Sequence, residues 1–116
     1  MARIKRGLMR HKRHKKIIDR ASGYWGRKKN VFKRAHEQWM KAGQYAFRDR
    51  RAKKRDFRRL WIARITAGCR EHGIKYGQFI GALNAQGIQV NRKMLSEMAI
   101  HDPAAFKALV VKAQAK

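Results

Sequence analysis

Two pairs of side chains have the spacing of metal ligands, and neither makes a metal site. His11 and His14 lie three apart inside the run RHKRHKK, where the surrounding Lys and Arg repel a cation. Cys69 and His72 are also three apart, but no other soft ligand is near them in sequence, and zinc sites want about four ligands at tight spacing. The reading is therefore no metal and no cofactor. His11 and His14 are assigned to phosphate or base contacts, and Cys69 to a core. The carboxylates Asp19, Glu37, Asp49, Asp56, Glu71, Glu97 and Asp102 are scattered, most of them beside basic neighbours that would pair with them. Asp49 and Lys53 have the i, i+4 spacing of a helix pair. There is no glycine-rich nucleotide loop and no nucleophile elbow, so the chain is not read as an enzyme and no small-molecule substrate is expected.

The chemistry these residues can do is the binding of a polyanion. The 116 residues hold 31 Lys or Arg against 7 Asp or Glu, a formal net charge of +24. Such a surplus repels itself until an anion neutralises it. On phosphates it releases condensed counterions, which dominates nucleic-acid affinity. Candidate RNA contacts in the first segment are Arg3, Lys5, Arg6, Arg10, His11, Lys12, Arg13, His14, Lys15, Lys16 and Arg20. Beyond it come Arg27, Lys28, Lys29 and Arg34, then the dense run of Arg48, Arg50, Arg51, Lys54, Arg55, Arg58 and Arg59, and finally Arg64, Arg92 and Lys93. Arginine exceeds lysine in the central run, which favours forked contacts to phosphate and stacking on bases. Tyr24 and Trp25 are assigned to stacking on unpaired bases, a mode suited to folded RNA, whereas Trp39 and Trp61 are read as local packing. Arg92 and Lys93 follow a helix-capping Asn91, where phosphate also meets free backbone amides. No helix-turn-helix, zinc finger or zipper is visible to read a regular major groove, which favours RNA over DNA.

The elements that must position these residues differ between the two halves. Residues 1–59 hold 23 Lys/Arg and 4 Asp/Glu, whereas residues 60–116 hold 8 and 3; the seam is placed near Leu60. The first segment is read as a basic, extended helical arm that penetrates RNA, the second as a compact all-α RNA-binding domain. In the arm no proline interrupts Arg27 to His72, so a helix could run about 70 Å at 1.5 Å per residue. Its central residues are polar in every angular sector. Phe32, Ala35, Trp39, Ala42 and Ala46 give it one narrow apolar line able to receive Leu8, Ile17 and Ile18. The sequence SGYWG at 22–26 reads as a joint in which two glycines supply backbone freedom. An arm so poor in apolar area is expected to order only on its partner. In the second half, Leu60, Trp61, Ile65 and Cys69 form one stripe ending at Gly73, and Tyr76, Phe79, Ile80 and Leu83 form another ending at Gly87. Asn91 is placed to cap a third helix, with Val90 and Leu95 as a hydrophobic staple. Asp102 and Pro103 open a fourth, carrying Phe106, Leu109, Val110 and Ala113. No apolar run approaches the roughly 20 residues that span a bilayer, and no apolar stretch follows the basic N-terminus as in a signal peptide. One cysteine cannot build a disulfide scaffold. A small protein inside the cell, in cytoplasm or an organelle, is expected, with no membrane partner.

The stretch KAGQYAFRDRRAKKRDFRRLWIARI at 41–65 closely resembles the bacterial-type large-subunit ribosomal protein L-twenty family, as do RIKRG near the start, HKKI at 14–17 and the GYWG joint. The family's central pattern is met by Lys54, Arg58, Leu60, Trp61, Ile62, Ala63, Arg64 and Ile65, and VNRK at 90–93 matches a later segment. Thr66 departs from the usual Asn or Ser but keeps a hydroxyl. The resemblance covers essentially the whole chain. It implies a basic helical arm threaded into large-subunit ribosomal RNA, a small all-α domain docked on the RNA surface, neighbouring large-subunit proteins as partners, and an early role in subunit assembly without catalysis. It leaves open that the globular domain binds the messenger RNA of its own operon, as in some members. The alternative is a chromosome-compacting DNA-binding protein, which would bind duplex DNA and structured RNA comparably. A membrane-active cationic protein would need a broad apolar helical face, which the central run lacks.

Overall fold

A computed structural model describes residues 3–115; the outermost ends of the two expected segments, residues 1, 2 and 116, lie outside them. The described residues form five α-helices and one 3-10 turn, with no strand among them: α1 (Gly7–Arg20), the turn Gly26–Lys29, α2 (Phe32–Glu71), α3 (Tyr76–Ala85), α4 (Arg92–His101) and α5 (Pro103–Gln114). The all-α class expected from the sequence is what the chain adopts. Two compact units divide it, one ending at Arg51 and the next beginning at Ala52, so their boundary falls inside α2.

In the first unit, α1 begins after Arg6 without a side-chain cap or an acidic residue in its first turn. The joint after it turns on Gly23 and Gly26, whose φ angles of 84° and 57° lie in the left-handed region that glycine enters freely. The long helix starts at Phe32 rather than at Arg27, because residues 26–29 close a tighter 3-10 turn and Asn30 leaves the helical region at φ −124°. Ala21, which follows α1, and Ala35 in α2 are fully buried. Phe32 receives the ring of His14, stacked at a centroid distance of 3.8 Å. Ile17, Ile18, Trp39 and Ala42 are half-buried, whereas Leu8 and Ala46 are exposed.

The second unit has a true core. Ile65, Cys69, Ile74, Phe79, Leu83, Leu95, Phe106 and Val110 are buried together, with Ile80, Val90, Leu109 and Ala113 among the side chains packed around them. Its helices stop where their caps dictate. Gly73 at φ 71° lets the Ile74 amide donate to the Cys69 carbonyl and the Gly73 amide to that of Arg70. Gly87 repeats this geometry at the end of α3, through Ile88 to Leu83 and Gly87 to Asn84. The Asn91 side chain accepts from the Met94 amide at 2.9 Å, and Asp102 accepts from the Ala105 amide at 3.0 Å ahead of Pro103. Gln86 ties the end of α3 to that of α5 by donating to the Lys112 carbonyl at 2.7 Å. Leu60, expected on the apolar stripe, is 42% exposed; the core-facing stripe of α2 begins a turn later, at Ile65.

Candidate nucleic-acid interface

The candidate residues of the first unit are carried on three supports. Arg3, Lys5 and Arg6 precede α1 and are exposed. Arg10, His11, Lys12, Arg13, Lys15, Lys16 and Arg20 are exposed along it. His14 differs: it is half-buried on Phe32, so that ring is committed within the protein. Arg20 sits over the Trp39 ring at 5.1 Å, a cation–π contact that explains why Trp39 packs locally. Arg27, Lys28 and Lys29 ride the 3-10 turn. Trp25 is 88% exposed, while Tyr24 is half-buried, and both line a cleft of about 220 Å³ with Lys28, Gln38 and Ala42. The structure thus brings the two aromatic residues of the joint to one shallow site beside a lysine.

Along α2, residues 43–60 are exposed apart from a half-buried Ala52. A helix with no apolar face on this stretch offers its cations outward. Arg50, Lys54, Arg55 and Arg58 are in no ion pair among the described residues. Three other candidates have acidic neighbours: Arg34 lies 3.6 Å from Glu37, Arg48 2.8 Å from Asp49, and Arg59 3.3 Å from Asp56. The hydrogen bond from Arg48 holds the Asp49 carboxyl below its ordinary range. That pairing replaces the Asp49–Lys53 pair expected from spacing. The guanidinium next in sequence reaches the carboxylate, and the Lys53 ammonium lies over Phe57 instead, 5.8 Å from its centroid. In the second unit Arg64 is half-buried, Arg92 is half-buried with its Nε 3.5 Å from the Tyr76 hydroxyl, and Lys93 is exposed.

Aromatic residues interleave with these cations in the sequence, and the structure sets their rings directly against the charged groups. Tyr45 lies under Lys41 at 5.2 Å and Arg48 at 4.9 Å, and Phe47 under Arg51 at 3.8 Å. Phe57 and Trp61 lie tilted against each other at 6.2 Å. The i, i+4 spacing of Lys41–Tyr45, Phe47–Arg51, Lys53–Phe57 and Phe57–Trp61 carries this signal in the sequence. Chemically, the arrangement supplies unpaired cations for phosphate and exposed rings for bases or ribose. Among the described residues no three His, Cys, Asp or Glu side chains converge on a point, and no helix is long and apolar enough to cross a membrane. Burial pushes the Cys69 thiol up to about 11, leaving it protonated at neutral pH and unfit as a nucleophile.

Comparison with known proteins agrees with this chemistry. The family model described as Ribosomal protein L20 matches residues 3–109. A protein of Parvibaculum lavamentivorans named Large ribosomal subunit protein bL20 is 60% identical over 115 residues, covering 99% of this chain and 98% of that one. Namesakes from Ralstonia nicotianae and Leptothrix cholodnii are 57% and 56% identical, over 95% and 100% of this chain and 93% and 98% of their own lengths. A match of this extent, running through the arm and the helical core alike, places the chain in the ribosomal protein L20 family.

Proposed function

We propose that this protein is a structural constituent of the large ribosomal subunit, holding ribosomal RNA by the cations of α1 and α2 and promoting subunit assembly without catalysing a reaction. The observation that carries the reading is the stretch of α2 from 43 to 60. It is exposed, basic and without an apolar face, yet built into a family whose members are named as large-subunit proteins. Unpaired Arg50, Lys54, Arg55 and Arg58 neutralise phosphates where RNA segments converge and so let them pack closely. These contacts position the protein, while aromatic rings and the second unit contribute what selectivity there is. Family membership and the absence of a groove-reading motif both weigh against chromosome compaction.

The test is RNA binding by the full chain as a function of salt. Replacing Arg50, Arg51, Arg55 and Arg58 by Ala removes up to four phosphate contacts and lowers the slope of log K against log salt by about three. An unchanged slope removes those residues from the interface. Equal affinity for duplex DNA of the same length would refute the preference for RNA.

A further inference from the structure

Where α2 gives way to α3, the second unit has a cleft of about 450 Å³ lined by Thr66, Arg70, Gly73, Ile74, Lys75 and Tyr76. That lies in the range of about 300–1,000 Å³ typical of small-ligand sites. The left-handed turn at Gly73 brings Arg70 and Lys75 to the same opening. No carboxylate lines it, and neither cation is in an ion pair among the described residues. Ile74, only 9% exposed, supplies an apolar wall, and Tyr76 an aromatic one. The Thr66 hydroxyl spends its proton on the Ile62 carbonyl at 2.7 Å, leaving its oxygen as an acceptor. The Tyr76 hydroxyl faces Arg92 Nε with its oxygen at 3.5 Å, leaving its proton to donate.

Two cations, an apolar wall, an aromatic ring, one donor and one acceptor exceed what a bare phosphate uses. They match the parts of a nucleotide. We infer that this cleft takes a single unpaired nucleotide of RNA, its phosphate on Arg70 and Lys75 and its base beside Ile74 and Tyr76. A base stacked and paired within a duplex cannot enter, so the cleft selects an irregular point in an RNA rather than a helix. This inference rests on the RNA-binding reading above and adds a selective site to it, since Thr66, Arg70, Lys75 and Tyr76 are not among the RNA contacts assigned from the sequence.

The experiment uses the full chain with two RNA hairpins, one carrying a bulged 4-thiouridine and one carrying the same base paired in the stem. Each is photocrosslinked, the adducts are mapped by mass spectrometry, and affinity is measured in parallel. The bulged probe is expected to label the segment containing Tyr76, and the paired probe to label only other parts of the chain. Changing Arg70→Gln together with Lys75→Gln, both exposed positions, is expected to weaken binding of the bulged probe about tenfold and to lower its salt slope by about two. Helicity by circular dichroism confirms that the variant is folded. Tight binding with labels confined to residues before Thr66, or equal labelling by both probes, overturns the cleft and leaves the RNA-binding reading intact. No binding of either probe overturns both.

Discussion

Gly43 and Gly68 occupy the interior of the same helix, yet alanine at the two positions is expected to act with opposite sign. In an exposed helix interior, Gly→Ala gains about 0.8–1.0 kcal/mol, because the unfolded chain has less freedom to lose. A Cβ at Gly43 meets no atom within 4 Å, so Gly43→Ala keeps that gain. At Gly68 the added carbon would lie 3.0 Å from Phe106 Cε1, 3.4 Å from its Cζ and 3.6 Å from the Ala99 Cβ. Phe106 is 1% exposed, its ring 5.5 Å from that of Phe79 and 6.3 Å from that of His72. It cannot swing aside without disturbing the core. Overpacking of this kind costs about 1–3 kcal/mol, which offsets the propensity gain and leaves a net loss of up to about 2 kcal/mol. For a domain of this size that is a fall in Tm of up to about 10 °C. Urea and thermal unfolding of the full chain, followed by helicity, measure both variants. A Gly68→Ala chain as stable as Gly43→Ala would refute the close approach of α2 to Phe106.

Two further outcomes follow from the second unit. Asp102→Ala removes the acceptor for the Ala105 amide and should cost about 0.5–2 kcal/mol in urea unfolding, whereas Asp102→Asn, which keeps a capping oxygen, should cost a few tenths. Burial raises the Cys69 thiol from 9.0 to about 11, so the folded state favours the neutral thiol. The associated stability is complete below pH 9 and is lost as pH rises from 9 to 11. Relative to Cys69→Ala, the chain should therefore lose stability across that window, and at about pH 8 the thiol should resist thiol reagents until urea is added. Rapid labelling of the folded chain would show the thiol to be exposed.

The second unit is legible in the sequence because its signals are local. Gly73, Gly87, Asn91 and Asp102 each fix a helix end through hydrogen bonds to near neighbours, with Pro103 at the start of α5, and the apolar stripes between them have one way to face inward. Leu60 misleads because its type fits a stripe that the core reaches only at Ile65. The start of α2 misleads for a related reason: propensity favours helix through 27–31, but Gly26 turns the chain there. The functional surface divides along similar lines. Charge density marks the cations. What it cannot mark is which of them are already engaged, because Arg51 and Arg59 find their partners only once a helix exists. The cleft at Arg70 and Lys75 is hidden too: two cations five apart in sequence meet only because a glycine turn folds one helix end back toward the next. Nor does any pattern foretell Ser96, whose hydroxyl is buried without a hydrogen-bond partner.

The middle of α2 is a helix that its own charges oppose. Lys54 and Arg58, like Arg55 and Arg59, stand at i, i+4 with the same sign, each pair costing about 0.2–0.5 kcal/mol. The exposed Asp56–Arg59 contact returns a similar amount, and no buried face adds to it. Helical order here is thus held mainly by propensity, and anything that neutralises the guanidinium groups strengthens it. Phosphates do so by binding, and an RNA at about 100 times its Kd adds about 2.7 kcal/mol to the state that binds it. Simple salt does so by screening, while weakening the RNA contacts. Raising salt should therefore increase the helicity of the free chain at the same time as it lowers its RNA affinity. A free chain whose helicity falls over that range would mean that attraction within the protein, rather than repulsion, governs this stretch, and its cations would no longer be available to phosphate.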